Sequence, residues 1–356
     1  MRKRIQIAVT IVSMMVFCGQ MVSAAERLPN IRILATGGTI AGAGATSTTT
    51  VGYKAAVAPV EALIQNVPEL AKIAKVDGEQ LSQIASESMT MEIWLKLAKR
   101  VNALLAQSDV DGVVITHGTD TLEETAFFLN LVVKSSKPVV VVGSMRPPTA
   151  MSADGRLNLY RACILAGSKE AVGKGVLVMM NDTIHASREV TKTITDRVDT
   201  FKAPELGALG LFSGDQPFFY RQSLRRHTAA SEFDVSDLTS LPRVDIVYHY
   251  AGNEGTQIEA AVNAGARGIV HAGTGNGSIG KQEYPAVEAA LKKGVVIVRS
   301  ARVGNGVIAR NGEADDDKYG FVASDNLNPQ KARILLMLAL TRTSDVKKIQ
   351  DYFWRY

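Results

Sequence analysis

Short, nearly uninterrupted runs of apolar, β-branched residues recur along this chain, and helical patterns separate them. In the first half, the runs cover residues 31–34, 112–115, 138–142 and 175–179. Apolar residues at helical spacing lie between them, at 60–67, 93–105 and 126–131. Strands that are apolar on both faces are typical of parallel sheets covered by helices on both sides. We therefore predict an α/β fold.

A second, shorter series of the same kind follows. Its strands are predicted at residues 244–247, 268–270 and 295–298, and its helices at 258–262, 286–291 and 329–340. Residues 217–242, between the two series, are mostly polar and lack a clear period. We predict two α/β domains with mainly parallel sheets: a larger N-terminal domain over 28–220, a linker over 221–242 and a smaller C-terminal domain over 243–356.

The N-terminus predicts a cleavable signal peptide over residues 1–25. Three bases at positions 2–4 precede an apolar stretch over 5–22 and a small-residue exit at Val22-Ser23-Ala24-Ala25. The alternative is a membrane anchor, but polar residues interrupt the stretch, and a span needs about 20 clean apolar residues. We expect a periplasmic mature chain that has no membrane contact.

The charge balance argues against a nucleic-acid partner. The chain has 40 lysines and arginines against 35 aspartates and glutamates, and removal of the three leader bases leaves 37 against 35. A chain this close to neutrality lacks the clustered basic charge that binds phosphate backbones.

Cysteine and histidine usage offers no sign of a disulfide or a metal. Cys163 is the single cysteine after the leader, so no internal disulfide can form, and we expect it to be a buried apolar residue. The five histidines, at 117, 185, 227, 249 and 271, show no metal-ligand spacing. We predict no metal and no cofactor.

Polar residues follow the first three apolar runs, where a parallel sheet binds its ligands. Residues 36–42 place two glycines between hydroxyls, which lets backbone N–H groups approach an oxyanion, but the lysine of a phosphate loop is missing. Residues 116–124 contain Thr119 and Asp120, which either take part in chemistry or cap the following helix. The third exit holds Ser144 before a rigid Pro-Pro pair. Lys192, taken alone, is a surface lysine.

These strings carry a family resemblance. Residues 36–42, the string VITHGTDT at 114–121 and the block 143–155 resemble the bacterial type II L-asparaginases, and most closely their periplasmic glutaminase-asparaginase branch. The resemblance extends from about Leu28 to Tyr356. It implies that Thr39 is the nucleophile and that Tyr53 belongs to a mobile lid. The small polar residues between Gly42 and Gly52 predict that residues 42–53 form this lid, and the alternative is an ordinary surface loop.

The same resemblance assigns the remaining site residues. It implies that Thr119, Asp120 and Lys192 form the other half of the catalytic site, and that Ser86 and Glu87 hold the α-groups of the substrate. Glu313 is expected to reach in from a neighbouring subunit of a homotetramer. Further substrate contacts are expected from Gly118, Ser144, Asn276 and Ser278.

The implied reaction is hydrolysis of the side-chain amide of L-glutamine and L-asparagine through an acyl-enzyme. A threonine hydroxyl needs a base, and Lys192 serves as one only if it is a neutral amine in a desolvated site. Asparagine-selective members usually carry Gln at the position of Glu87 and Asn at that of Ser278, so we expect both amides to be used. The alternatives are a periplasmic amino acid binding protein and an inactive family member.

Overall fold

The computed structural model describes residues 27–356, and the predicted signal peptide lies outside this range. The larger of its sheets has eight strands: β1 (Asn30–Gly37), β2 (Lys75–Ile84), β3 (Gly112–Thr116), β4 (Val139–Val142), β5 (Val176–Met180), β6 (Thr183–Ala186), β9 (Gly210–Ser213) and β10 (Gln216–Phe219). Their order is β10-β9-β6-β5-β4-β3-β1-β2. The first five are mutually parallel, and the last three extend the sheet in antiparallel fashion.

Helices cover both faces of this sheet, as its apolar strands require. They are α1 (Val60–Gln65), α2 (Met91–Leu105), α3 (Leu122–Val132) and α4 (Gly155–Gly167). Buried side chains of α1 and α4 pack on one face, and those of α2 and α3 pack on the other. Cys163 is buried in α4, which confirms its prediction as a core residue, and burial raises the pKa of its thiol to about 12.

The smaller sheet contains β11 (Val244–Tyr248), β12 (Gly268–Gly273), β13 (Val296–Ala301) and β14 (Val322–Ala323), in that order and all parallel. Its helices are α5 (Thr256–Asn263), α6 (Tyr284–Lys292), α7 (Asp316–Tyr319), α8 (Pro329–Leu340) and α9 (Val346–Arg355). A separate two-stranded ribbon pairs β7 (Thr191–Lys192) with β8 (Phe201–Lys202). The predicted fold class, two α/β units with mainly parallel sheets, is confirmed.

The two units share one hydrophobic core. Buried residues of α2 and α3 belong to the same cluster as those of α8 and β11 to β14. The connecting segment contributes Phe233 and Val235 to that cluster. Because the segment is anchored in this way, it fixes the two sheets relative to each other. Within residues 27–356, no helix combines the length and apolarity needed to cross a membrane.

Candidate active site

The carboxyl ends of four neighbouring parallel strands form the site. Thr39 opens a single 3-10 turn (Thr39–Ala41) after β1, and Ser86 and Glu87 lie in a similar turn (Ser86–Ser88) after β2. Thr119 and Asp120 follow β3, and Ser144 follows β4. Since β2, β1, β3 and β4 are adjacent in the sheet, their exits bring distant parts of the chain to one edge.

Glycines allow three of these exits to touch. A Cβ atom at Gly38, whose φ is +81°, would lie 2.3 Å from the Cα of Gly118. A Cβ atom at Gly118 would in turn lie 2.6 Å from the Ser86 hydroxyl. Such distances leave no room for any side chain at either position, so the two glycines are what permits the loops to converge.

Thr39 is buried beneath the segment that the sequence predicts to be a lid. Its hydroxyl lies 2.7 Å from the Tyr53 hydroxyl, and either oxygen can donate. Paired hydrogen bonds between Ala43 and Lys54 close the base of the 42–53 segment. Within this segment, Gly44 N–H donates to the Thr149 hydroxyl over 2.8 Å, and the Ser47 carbonyl accepts from Met151 N–H over 2.7 Å. The segment therefore lies closed over Thr39 with its tip attached to the 147–151 loop.

Lys192 connects the two residues that follow β3. Its ammonium group donates to the Thr119 hydroxyl over 3.0 Å and to a carboxylate oxygen of Asp120 over 2.6 Å. The lysine side chain is 15% exposed and the aspartate side chain 56% exposed. The interpretation of Lys192 as an ordinary surface residue is therefore wrong. In this arrangement Lys192 donates to both side chains and holds them together.

The capping interpretation of Thr119 and Asp120 is also wrong. Helix α3 has Thr121 at its N-cap and receives no side-chain capping bond. The Thr121 hydroxyl instead donates to the Ser86 carbonyl over 2.8 Å. Thr119 and Asp120 therefore do not cap the N-terminus of α3.

The exits of β2 and β3 also hold groups suited to a zwitterion. The Ser86 hydroxyl accepts from Asp120 N–H over 3.1 Å. Glu87 is exposed and forms no hydrogen bond or ion pair among residues 27–356. The N–H groups of Gly118 and Thr119 likewise meet no protein acceptor in that range. Free donors beside a free carboxylate suit the α-carboxylate and α-ammonium groups of an amino acid.

Two predicted substrate contacts have side chains already occupied by protein partners. The buried Ser144 hydroxyl donates to the Arg146 carbonyl over 2.9 Å. The Asn276 amide donates to the Val307 carbonyl over 2.9 Å and accepts from Ala309 N–H over 3.0 Å. Both side chains fix loops in this state, and their contact with substrate stays a prediction.

Ser278 and Glu313 form a separate group. The Ser278 hydroxyl lies 3.4 Å from a Glu313 carboxylate oxygen, and between residues 27 and 356 neither side chain hydrogen-bonds to the residues around Thr39. The structure therefore places the predicted residues in two groups, one at each sheet.

A buried ion pair that the sequence analysis missed supports this second group. The guanidinium of Arg299 forms two bonds to Asp316, of 2.6 and 2.7 Å, with both side chains fully buried. It also donates to the carbonyls of Asn276 and Ala309. Arg299 thus fastens both loops from which Ser278 and Glu313 project. A charged residue within an otherwise apolar strand, as Arg299 is, was the signal in the sequence that could have predicted a buried ion pair.

A second missed feature lies behind the β3 exit. The indole N–H of Trp94 donates to the Thr125 hydroxyl over 2.8 Å, and that hydroxyl lies 2.8 Å from Nε2 of His117. Nδ1 of His117 is 2.7 Å from the Gly118 carbonyl. Burial lowers the pKa of His117 to about 4, so the imidazole is neutral at pH 7. His117 supports the loop and is unsuited to proton transfer.

Comparison with known proteins accounts for this arrangement. The family model "Asparaginase, N-terminal" matches residues 30–225, and "Glutaminase/Asparaginase C-terminal domain" matches residues 243–353. The chain belongs to the asparaginase family. It is accordingly an enzyme, an amidohydrolase, which excludes the binding-protein alternative.

Asparaginase-family relatives match nearly the whole chain. An L-asparaginase 2 of Bacillus subtilis is 56% identical over 94% of this chain and 89% of its own length. A glutaminase-asparaginase of Pseudomonas fluorescens is 54% identical over 93% of this chain and 91% of its own. A crystal structure described as a probable cytoplasmic L-asparaginase from Campylobacter jejuni has a TM-score of 0.89 at 50% identity and covers 92% of this chain and 100% of its own. The predicted family resemblance is confirmed.

Proposed function

We propose that this asparaginase-family enzyme hydrolyses the side-chain amides of L-glutamine and L-asparagine to the acid and ammonia, with Thr39 as nucleophile. The observation that carries the proposal is the juxtaposition of the Thr39 and Thr119 loops, joined through Gly38 and Gly118, with Lys192 and Asp120 beside them. Relatives named L-asparaginase and glutaminase-asparaginase support this substrate class.

The reaction proceeds in two displacements. Thr39 Oγ1 bonds to the amide carbon, the C–N bond breaks, and the hydroxyl proton passes to the nitrogen that leaves as ammonia. Tyr53 is the nearest group to that proton, at 2.7 Å. Water then adds its oxygen to the acyl carbon, the ester bond to Thr39 Oγ1 breaks, and a water proton passes to that oxygen, which releases the acid and restores the enzyme. The amine group of Lys192, which donates to the Thr119 hydroxyl, stabilises the developing oxyanion.

Substrate anchoring uses the exit of β2 and the second group of residues. The α-carboxylate binds Ser86 and the Gly118–Thr119 N–H groups, while Glu87 and Asp120 bind the α-ammonium. Ser278 and Glu313 complete the site from a second copy of the chain in a homotetramer, because they do not reach Thr39 within one chain. The serine at 278, smaller than the usual asparagine, leaves room for the extra methylene of glutamine. The leader sequence supports export to the periplasm.

The test is ammonia release by the mature chain, from Glu26 onward, with both amides side by side. We expect turnover of both, and a loss of about 10³-fold or more in kcat for Thr39→Ala and Lys192→Met. Turnover of neither amide would overturn the substrate assignment. A strong asparagine preference would show that Glu87 and Ser278 do not set specificity.

The two threonines are distinguished by comparing Thr39→Ala with Thr119→Ala. Both variants are expected to be impaired. A burst of ammonia equal to the enzyme concentration depends on Thr39 and not on Thr119, so we expect it in Thr119→Ala and not in Thr39→Ala. If Thr39→Ala retained near wild-type turnover while Thr119→Ala lost it, the nucleophile assignment would be reversed.

A further inference from the structure

Two histidines and a glutamate converge in the C-terminal unit, away from Thr39. His249 directly follows β11, and His271 lies near the end of the adjacent strand β12. Glu283 ends the single 3-10 turn (Lys281–Glu283) that leads into α6. Carboxyl ends of adjacent parallel strands are the usual place for a ligand in such sheets.

The donor atoms of the three side chains face one another at short range. Nδ1 of His249 lies 2.6 Å from one oxygen of Glu283, and Nε2 of His271 lies 3.1 Å from the other. All three donor atoms lie within 4.8 Å of one another. The side chains of Glu283 and His271 are 0% and 1% exposed, and that of His249 is 12% exposed.

The carboxylate is held in place from outside the cluster. Asn253 donates to one oxygen of Glu283 over 2.8 Å, and Gly280 N–H donates to the other over 2.8 Å. Ordered hydrogen bonds of this kind are what orient the carboxylate ligands of metal sites. Nδ1 of His249, by contrast, is buried and makes no aligned hydrogen bond despite its short distance to Glu283. A buried nitrogen aimed at the cluster without a proper partner is costly, unless something else binds it.

We propose that His249, His271 and Glu283 bind one divalent transition-metal ion of the Zn²⁺ type. Two neutral imidazoles and one carboxylate match the donor set of such sites, with water as a fourth ligand. Donors about 2.1 Å from a tetrahedral ion stand roughly 3.4 Å apart, so small side-chain rotations suffice. Two nitrogen donors disfavour Mg²⁺ and Ca²⁺.

Two arginines lie near the three side chains, and one of them, Arg302, donates to the His249 carbonyl over 3.1 Å. Arg299 pairs with His271 in the sheet register, but its charge is neutralised by Asp316. Sequence spacing concealed the site, because ligands at the ends of neighbouring parallel strands are separated by whole helices along the chain. The proposal replaces our prediction that the histidines bind no metal. It is independent of the proposed reaction, since it assigns no catalytic step to the ion.

The experiment removes bound metal from the full mature chain with a chelator and then titrates Zn²⁺ into it. Calorimetry measures the binding stoichiometry and the melting temperature. We expect one ion per chain and a rise in the melting temperature when Zn²⁺ is added. Co²⁺ should give visible absorption bands typical of a tetrahedral site with nitrogen donors. A wild-type chain that takes up no stoichiometric Zn²⁺ would overturn the proposal and leave Glu283 as a hydrogen-bonded structural carboxylate.

Variants locate the bound ion. Glu283→Gln and His271→Gln remove proposed ligands and are expected to weaken Zn²⁺ binding by about 100-fold or more, since loss of a supporting group alone costs about 10- to 100-fold. If these buried variants fail to fold, His249→Gln, at the more exposed ligand, is expected to weaken Zn²⁺ binding in the same way. His227→Gln is the matched control, because His227 bonds to Thr228 and lies outside the cluster. Equal uptake by all variants would place the ion elsewhere.

Discussion

At the scale of single residues, the loop that follows β3 depends on hydrogen bonds from behind. Trp94, Thr125 and His117 form a chain with one donor and one acceptor at each step, provided that the imidazole carries its proton on Nδ1. In this arrangement the Thr125 hydroxyl satisfies two buried groups at once. The chain ends on the Gly118 carbonyl, directly before Thr119.

Replacement of Thr125 is therefore expected to destabilise the protein. Thr125→Val keeps the side-chain shape but leaves the Trp94 N–H and His117 Nε2 buried without partners, at a cost of about 2–4 kcal/mol. Thr125→Ser keeps the hydroxyl and is the control, with an expected loss of about 1 kcal/mol or less. Thermal unfolding measures both, and equal melting temperatures for the two variants would contradict this account.

The burial of His117 also predicts how the stability of the wild-type chain changes with pH. Burial depresses the pKa of His117 to about 4, below its ordinary value of 6.5, and the pKa of His185 is lowered to about 4 for the same reason. The two buried neutral imidazoles make their full contribution to the free energy of unfolding above pH 6.5. This contribution is lost as the pH falls toward 4, because over that range only the unfolded chain takes up the protons. The melting temperature should therefore fall over that range.

At the scale of elements, the predicted lid over residues 42–53 is attached to the body at its tip. Gly44 N–H bonds to Thr149, and Met151 N–H bonds to the Ser47 carbonyl, so the 147–151 loop holds the segment that carries Tyr53. The Pro147-Pro148 pair stiffens that loop. The position of Tyr53 over Thr39 is thus set partly by a loop that follows β4.

Loss of one of these bonds is expected to loosen the lid. Thr149→Val removes the acceptor for Gly44 N–H, and we expect kcat/KM for glutamine to fall by about 10-fold because Tyr53 is less well positioned. Thr149→Ser is expected to restore near wild-type values.

A variant within the lid serves as the matched control. Thr48 bonds to Thr46 and makes no bond to the body in the described chain, so Thr48→Val should leave kcat/KM nearly unchanged. An unaltered kcat/KM in Thr149→Val would show that the Thr149 bond does not hold the lid during turnover.

At the scale of the whole molecule, the predicted site residues form two groups that do not meet within one chain. Thr39, Tyr53, Ser86, Thr119, Asp120 and Lys192 lie at the larger sheet. Ser278 and Glu313 lie beside the smaller one, on loops fastened by Arg299. If a second copy joins these groups, two inactive chains with defects in different groups should complement each other.

We therefore predict that Thr39→Ala co-expressed with Glu313→Ala regains activity. Random assembly gives about a quarter of sites both intact groups, so activity near a quarter of wild type is expected when each variant alone is inactive. The pair Thr39→Ala with Lys192→Met is the control, because both defects lie in the same group and no intact site can form. No recovery in the first pair would mean that each site is built from one chain.

Much of the architecture could be read from the sequence because buried parallel strands must be continuously apolar. The runs predicted at 112–115 and 138–142 correspond to β3 and β4, and the helix predicted at 329–340 is α8. The polar edge strand β2 was not predicted, because only its Leu81 is buried and its pattern lacks an apolar run. The antiparallel β6, β9 and β10 were also missed, since strands of four residues carry little periodic signal.

The sequence by itself determined the α/β class, the family and the identity of the residues at the strand exits, since these depend on local pattern and motif. The tertiary structure alone decided that Thr119 and Asp120 bond to Lys192 and do not cap α3, and that His249, His271 and Glu283 meet. The physical reason is that a parallel sheet joins the ends of strands separated by whole helices. Which side chains become neighbours there depends on strand order, and strand order leaves no local mark in the sequence.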